Sequence, residues 1–532
     1  MEIKILNGRV VDGSGNPWFK ADVGIENQRV VKIGDLQNDI SNEVIDADGL
    51  IVAPGFIDSH SHSDLELLKD PFSPQKIKQG ITTEVLGQDG FSVAPIRDET
   101  WEQLCANVKG LLGELDKEWK WRNLAEYFSL LEKGGIATNV CSHVGHATIR
   151  IHVMGFEERA PSNEELDQMR KLVKKSMREG AIGLSSGLVY PPSCYAKTDE
   201  LVELCKIVKE NYGVYTSHIR GESYTLEKSM SEAIEIGLRS EASIHVSHHK
   251  ASGRENWGKV VKTLNMIDSA RSKGVDLTCD QYPYTAGSTM LTVVLPPWAL
   301  EGGIPKLLTR LSSSEVRERL KNNMITGVPG WSSYLRAAGF ENIMITYCKK
   351  NVQFEGKTLS TIAKDLGKDP FDIVFDLLID EEASISIVLF YLSEDDVKTV
   401  MKHQSVMVCT DGLLGGKPHP RVYGAFPRVL GRYVREEKTI SLQGAVKKMT
   451  SLPAQTFGLN KRGLLREGMY ADVTIFDPRT IIDVGTYTNP HQFPVGIEYV
   501  VVNGSLVLEK GKQVDALPGT VLKKNNECAL KF

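Results

Sequence analysis

Eight short apolar segments, each closing on small or polar residues, run through the middle of the chain, most of them far enough apart to leave room for a helix. They are FIDSHSH (56–62), TTEVLG (82–87), TNVCSHVGH (138–146), AIGLSSG (181–187), VYTSHI (214–219), SIHVSHH (243–249), VDLTCDQY (275–282) and SVMVCTDG (405–412). Amphipathic stretches lie between several of them. In NEELDQMRKLVKKSMREG, Leu166, Met169, Leu172, Val173 and Met177 keep the three-and-four spacing of a helix with one buried stripe, and TDELVELCKIVKENYG repeats the pattern. Alternating strand-sized and helix-sized units predict an α/β chain whose parallel strands close into a (β/α)8 TIM barrel. More than 120 residues separate the seventh segment from the eighth, far beyond a usual connection. An insertion is therefore expected at 286–345. It holds Trp298, Trp331 and several glycines, and suits either a lid or a solvent-facing elaboration.

The flanks have a different texture. Residues 3–52 read as short Val- and Ile-rich strands separated by Asn7-Gly8, Asp12-Gly13 and Asp48-Gly49 turns. The same pattern returns in ADVTIFDP (471–478) and in EYVVVNGSLVLEKGK (498–512), where Asn503-Gly504 between two apolar runs marks a hairpin. One small β-sandwich assembled from both termini is expected. The division is then 1–54 sandwich, 55–285 barrel strands one to seven, 286–345 insertion, 346–460 the rest of the barrel with strand eight, and 461–532 sandwich. A net charge of −5 and a pI near 6.2 point to neither nucleic acid nor an anionic membrane as partner. No window approaches 18 uninterrupted apolar residues, and the eight cysteines (105, 141, 194, 205, 279, 348, 409 and 528) form no CxxC pair. Free thiols and a cytoplasmic location are expected. Composition leaves a homo-oligomer open.

Barrel enzymes carry their chemistry at the carboxyl ends of the strands. The polar residues of this chain gather there: His60 and His62, Gln88 and Asp89, His143 and His146, His218, His248 and His249, Asp280, and Asp411. Seven of the 12 histidines fall at such ends, which random scatter does not produce. The strand period of two puts His60 and His62 on one face, so both reach a single ion. Imidazole and carboxylate ligands suit zinc, and manganese and iron also accept them. For His245 and His403 a hydrogen-bonded structural role is expected.

The motifs VAPGFIDSHSHSD, GITTEVLGQDGFSVAP, EGAIGLSSGLVYPPSCYA, SHIRGES, SHHKASG, DQYPYTAG and HPRVYGAFPRVLGRYVREEKTISLQGAVKKMTSLPAQTFGL span nearly the whole chain, with GLLREGMYADVTIFDP closing the last β region. They resemble the D-aminoacylases, the N-acyl-D-amino-acid deacylases of the amidohydrolase superfamily. The resemblance implies cleavage of an N-acyl-D-amino acid to a carboxylate and a free D-amino acid by metal-activated water. It assigns His60 and His62 to a more exposed metal position, His218 and His248 to a tighter one, and Asp411 to the general base and acid. Tyr190, Lys250, Tyr282 and Arg421 would face the small-molecule substrate, with Arg421 and Lys250 on its α-carboxylate. It implies one or two zinc ions, with manganese, cobalt or iron as substitutes. Dipeptides ending in a D-residue, N-acyl-L-amino acids and other small amides are alternative substrates. A scaffold that keeps the fold and has lost catalysis is an alternative of another class.

One position departs from the family. Its strand-two loop carries a cysteine ligand in a GNCGF-like context, whereas GQDGF here puts Asp89 in that place. The lysine that other amidohydrolases use after strand four is missing from AIGLSSG. Asp89 is thus the candidate anionic ligand, the alternative being an aspartate that only turns the loop before Gly90. Carboxylate in place of thiolate makes a harder site, with more room for manganese, iron or cobalt.

Overall fold

The computed structural model describes residues 1–115 and 119–524. Cys528 and residues 525–532 of the expected sandwich lie outside them, as do 116–118 of the expected barrel. Eight parallel strands occupy the eight segments. They are Phe56–Asp58 (β1), Ile81–Leu86 (β2), Asn139–Ser142 with Val144–Gly145 (β3), Gly183–Gly187 (β4), Val214–His218 (β5), Ser243–Val246 (β6), Leu277–Gln281 (β7) and Val406–Val408 (β8). Each pairs in parallel with the next in chain order, and the ladder breaks only inside β3. There the first half bonds to β2 and the second to β4, with His143 between the halves. Every residue of β2, β4 and β5 is buried, as expected of strands covered on both faces.

Helices Asn163–Arg178 (α1), Thr198–Glu210 (α2), Leu226–Ser240 (α3) and Lys259–Ser272 (α4) precede β4, β5, β6 and β7. Ser162 and Glu165 cap α1 reciprocally, satisfying backbone N–H groups that the first turn leaves free. Met169, Val173 and Met177 form its buried stripe, while Leu166 and Leu172 are half-buried at its margin.

Between β7 and β8 lies an antiparallel sheet of Ala286–Met290, Ile343–Tyr347 and Ser386–Phe390, the last strand in the centre. The expected end of the insertion at residue 345 falls inside the second of these strands, and the excursion continues to Phe390. SIVLF is a plain apolar run, and nothing in such a run says which sheet it joins.

Both termini feed a seven-stranded sheet in which Ile51–Pro54 runs antiparallel to Val473–Phe476. A four-stranded sheet built from Ile3–Leu6, Asp22–Glu26, Arg29–Gly34 and Glu43–Asp46 accompanies it. Ile5, Val23, Ile25, Val473 and Val501 share one apolar core that is separate from the main one. Asn503 and Gly504 take φ values of 46° and 80° in the hairpin turn, the left-handed pair that matches strand twist. Among the described residues no helix is long and apolar enough to cross a membrane.

Candidate metal centre

His60 and His62 extend β1 in the strand period of two, and their Nε2 atoms lie 3.2 Å apart. Asp89 follows β2 at φ +55°, with Gly90 behind it at +79°. A Cβ on Gly90 would stand 2.8 Å from the Gly187 nitrogen, so only glycine fits this turn. The turn aims the Asp89 carboxylate inward, and turning and facing the histidines are therefore one feature. His218 ends β5, His248 follows β6 at φ +35°, and Asp411 follows β8 at φ +47°. Left-handed backbone at non-glycine residues costs on the order of 1–3 kcal/mol each and survives where surrounding contacts over-determine it, typically at functional sites.

These side chains converge into two groups. In one, Asp89 lies 3.6 Å from His60 Nε2 and 3.5 Å from His62 Nε2, and Asp411 Oδ1 lies 3.6 Å and 3.2 Å from the same two atoms. In the other, Asp89 Oδ1 lies 3.7 Å from His218 Nδ1 and 3.5 Å from His248 Nε2. In each group the ligand atoms lie within 4.8 Å of one another, and Asp89 belongs to both. Asp89 Oδ1 and His218 Nδ1 face each other with no hydrogen-bond partner, although buried polar atoms ordinarily have one. A cation held by the four imidazoles and two carboxylates would satisfy them. The nitrogen and oxygen donor set fits zinc and also harder divalent ions.

The electrostatics agree. Burial opposes a charged His62, yet the carboxylates of Asp411 and Asp89 outweigh it and push the ring up to about 9. Burial and Lys250 oppose a charged His248, but Asp89 and Glu222 carry it to about 10. Burial alone dominates at His218, which falls to about 4. Asp89 is held well below the usual carboxylate range by His60 and its neighbours, and Asp411 by Arg421 and His60, in both cases against burial.

Around this centre, Arg421 Nη1 lies 2.9 Å from Asp411 Oδ2, its Nη2 donates to the Ser288 carbonyl, and its guanidinium stacks on Tyr282 at 4.3 Å. Its Nε and the Tyr282 hydroxyl are both buried without hydrogen-bond partners. Lys250 sits 2.6 Å from Glu222 and 2.7 Å from His248 Nδ1 and donates to the His248 carbonyl, so its charge is already balanced. The Tyr190 hydroxyl pairs with Thr289 Oγ1 at 2.8 Å, and its ring meets that of His218 at 5.2 Å.

Residue burial does not separate the two histidine pairs. His60 and His62 are 0% and 2% exposed, against 4% and 2% for His218 and His248, because the packed strand ends cover all four alike. His143, His146 and His249 stay outside the cluster, bonded to Thr216, to Ser193 and Glu200, and to Thr263. His245 and His403 are satisfied by Thr278 with Asp280 and by Asp268, as expected. Three residues had no role assigned from the sequence. Glu222, 3.1 Å from His248 Nδ1, was visible as the acid of SHIRGES, four residues after His218. Asp280, at a strand end, accepts from the His248 backbone N–H and from Ser59 Oγ. Tyr334, whose hydroxyl lies 3.2 Å from His218 Nε2, comes from the excursion, where no pattern marks it.

The amidohydrolase family model matches residues 43–287 and 332–508. The chain belongs to the amidohydrolase family. This amidohydrolase is 34% identical over 526 residues to a D-aminoacylase of Alcaligenes xylosoxydans xylosoxydans, with 98% of both chains covered. Among solved structures, an N-acyl-D-glutamate deacylase from Bordetella bronchiseptica matches with a TM-score of 0.85 and 35% identity, covering 98% of this chain and 99% of that one. That enzyme was solved with zinc and a phosphonate inhibitor that mimics the tetrahedral intermediate. A D-aminoacylase with a binuclear metal centre, described as activated by one metal and attenuated by the second, matches at TM-score 0.84 and 33% identity over 98% and 99% of the two chains. The family makes this amidohydrolase a hydrolase of amide C–N bonds.

Proposed function

We propose that this amidohydrolase cleaves N-acyl-D-amino acids to a carboxylate and a free D-amino acid. The observation that carries the reading is Asp411, whose two oxygens divide between the histidine pair and Arg421. His60, His62, Asp89, His218 and His248 would hold one or two divalent ions, zinc first. A bound ion supplies acidity to a water molecule and polarises the amide carbonyl. Asp411, ionised at neutral pH, takes the proton of the attacking water and delivers it to the departing amine nitrogen. Arg421, whose Nε has no partner, and Tyr282, stacked on its guanidinium, would face the substrate, with Arg421 on the α-carboxylate. Lys250, already neutralised by Glu222, steadies His248 and borders the same space. Tyr190 forms a wall next to His218.

The eight strands are read as one closed barrel. Across the junction of β1 and β8 the links are Ser59 Oγ to the Val408 carbonyl, Thr410 N–H to Asp58, and Asp411 N–H to the His60 carbonyl. The two terminal sheets are read as the sandwich, and the 286–390 excursion as a lid, since it brings Tyr334 to His218. The seven described cysteines are free thiols, which supports a reducing, cytoplasmic compartment.

The test is a screen of paired N-acetyl-D and N-acetyl-L amino acids with zinc, manganese and cobalt. The expected result is turnover of D-isomers that depends on added metal. Consistently faster L-isomers would sink the stereochemical reading, and turnover unaffected by chelation would sink the metal.

A further inference from the structure

Lys76 is 2% exposed, in a short helical turn that runs beneath the strand ends. Its ammonium lies 2.6 Å from Asp58 Oδ2, 2.9 Å from Ser61 Oγ and 2.9 Å from Thr410 Oγ1, with Glu84 Oε2 at 3.4 Å. These partners come from three strands: Asp58 and Ser61 from β1 and its extension, Glu84 from within β2, and Thr410 from just past β8. Ser61 stands between His60 and His62, and Thr410 immediately precedes Asp411. Asp58 completes the knot by accepting from the Thr410 N–H at 2.8 Å, the Thr410 hydroxyl at 2.6 Å and the His60 N–H at 3.3 Å. Asp58, Ser61, Glu84 and Thr410 are all 0% exposed. The same turn holds the Arg421 helix, because Gln79 donates to the Val422 carbonyl and accepts from the Phe426 N–H.

Burying an ammonium with two carboxylates strips each ion of its water, and apolar side chains of similar volume often fill such space as stably. The cluster is therefore a poor way to stabilise a core. It is a good way to fix one strand end against another where, among the described residues, β1 and β8 share no strand ladder. We infer that Lys76, acting through Asp58 and Thr410, is a positioning residue that sets where the Asp411 carboxylate stands relative to the His60–His62 pair. The inference rests on the reading of Asp411 as the proton carrier. Misplacing a reacting group by about 1 Å can cost on the order of 100-fold in rate, so loss of the peg acts first on turnover.

The test uses the zinc-loaded full chain and the N-acetyl-D-amino acid that it turns over best. Thr410→Val removes the hydroxyl between Lys76 and Asp58 at nearly constant volume. Its kcat is expected to fall about 10- to 100-fold, with KM and bound zinc close to wild type and a folded circular-dichroism spectrum. Thr410→Ser, which keeps the hydroxyl, recovers most of the loss. Lys76→Met combined with Thr410→Val is expected to turn over no more slowly than Lys76→Met alone, since both act through one peg. The inference is overturned if Thr410→Val keeps wild-type kcat, if Thr410→Ser is equally impaired, or if the two losses multiply. Asp411→Asn, assayed alongside, separates the two claims. Retained turnover in that variant removes the parent reading, whereas its loss with an unaffected Thr410→Val removes only this one.

Discussion

His60 and His62 reach the centre with their Nδ1 atoms unpartnered, whereas His248 has Glu222 and Lys250 against its Nδ1 and His218 has Tyr334 against its Nε2. The two pairs are buried to the same degree, so the difference lies in what orients them. The first pair is aimed by backbone: a strand period of two, with Ser61 between them tied to Lys76 and Glu84, and the buried knot of Asp58 and Lys76 below. The second pair is aimed by side chains that hydrogen-bond the rings from outside. Asp89, common to both, is held by its own left-handed turn against β4. Two supports of different kinds predict different sensitivities.

The largest expected effect is at Asp411, where the halves meet the chemistry. Asp411→Asn keeps the shape and the metal, and its kcat falls on the order of 10³-fold, the scale of a lost general base and acid. Steady-state kinetics paired with metal analysis check this, and near-normal turnover contradicts the assignment. Next comes Glu222→Gln, which removes the negative charge behind His248. Outer-sphere partners of this kind are worth roughly 10- to 100-fold in metal affinity, and the loss is confined to the His218–His248 group. A zinc titration that shows the His60–His62 group weakened instead would reverse the comparison.

A smaller effect concerns a histidine outside both groups. Burial holds His143 neutral, down at about 3, against an unfolded value near 6.5. The unfolded chain therefore binds the extra proton, and this residue's contribution to stability is intact above pH 6.5 and drains away as pH falls towards 3. One proton corresponds to about 1.4 kcal/mol per pH unit. His143→Gln is expected to flatten the acid limb of the stability profile by about that slope, as read from denaturant unfolding between pH 6.5 and 4.

The strands were legible in the sequence because each pairs a short apolar run with a polar end, and barrel chemistry needs both. The same logic gathered seven histidines and Asp411 at strand ends, and the family resemblance selected four of the seven. The excursion was less legible: Ser386–Phe390 is apolar and buried like any core strand, and only its partners show that it belongs with Ala286–Met290. Tyr334 escaped for a related reason, since tertiary packing of a short helix brings it to His218. Lys76 carried no mark either. One of two lysines in PQKIKQG, it reads as surface until three strands are seen to share it.

Asp89 joins the two halves, and metal counting on Asp89→Ala tests that most directly. Wild-type protein, stripped and titrated with zinc, is expected to take up ion at both groups. The variant is expected to lose one equivalent and to bind the other more weakly, because each group then lacks its shared carboxylate. If Asp89→Ala binds the same number of equivalents with unchanged affinity, Asp89 only turns the loop and the two groups do not share a ligand.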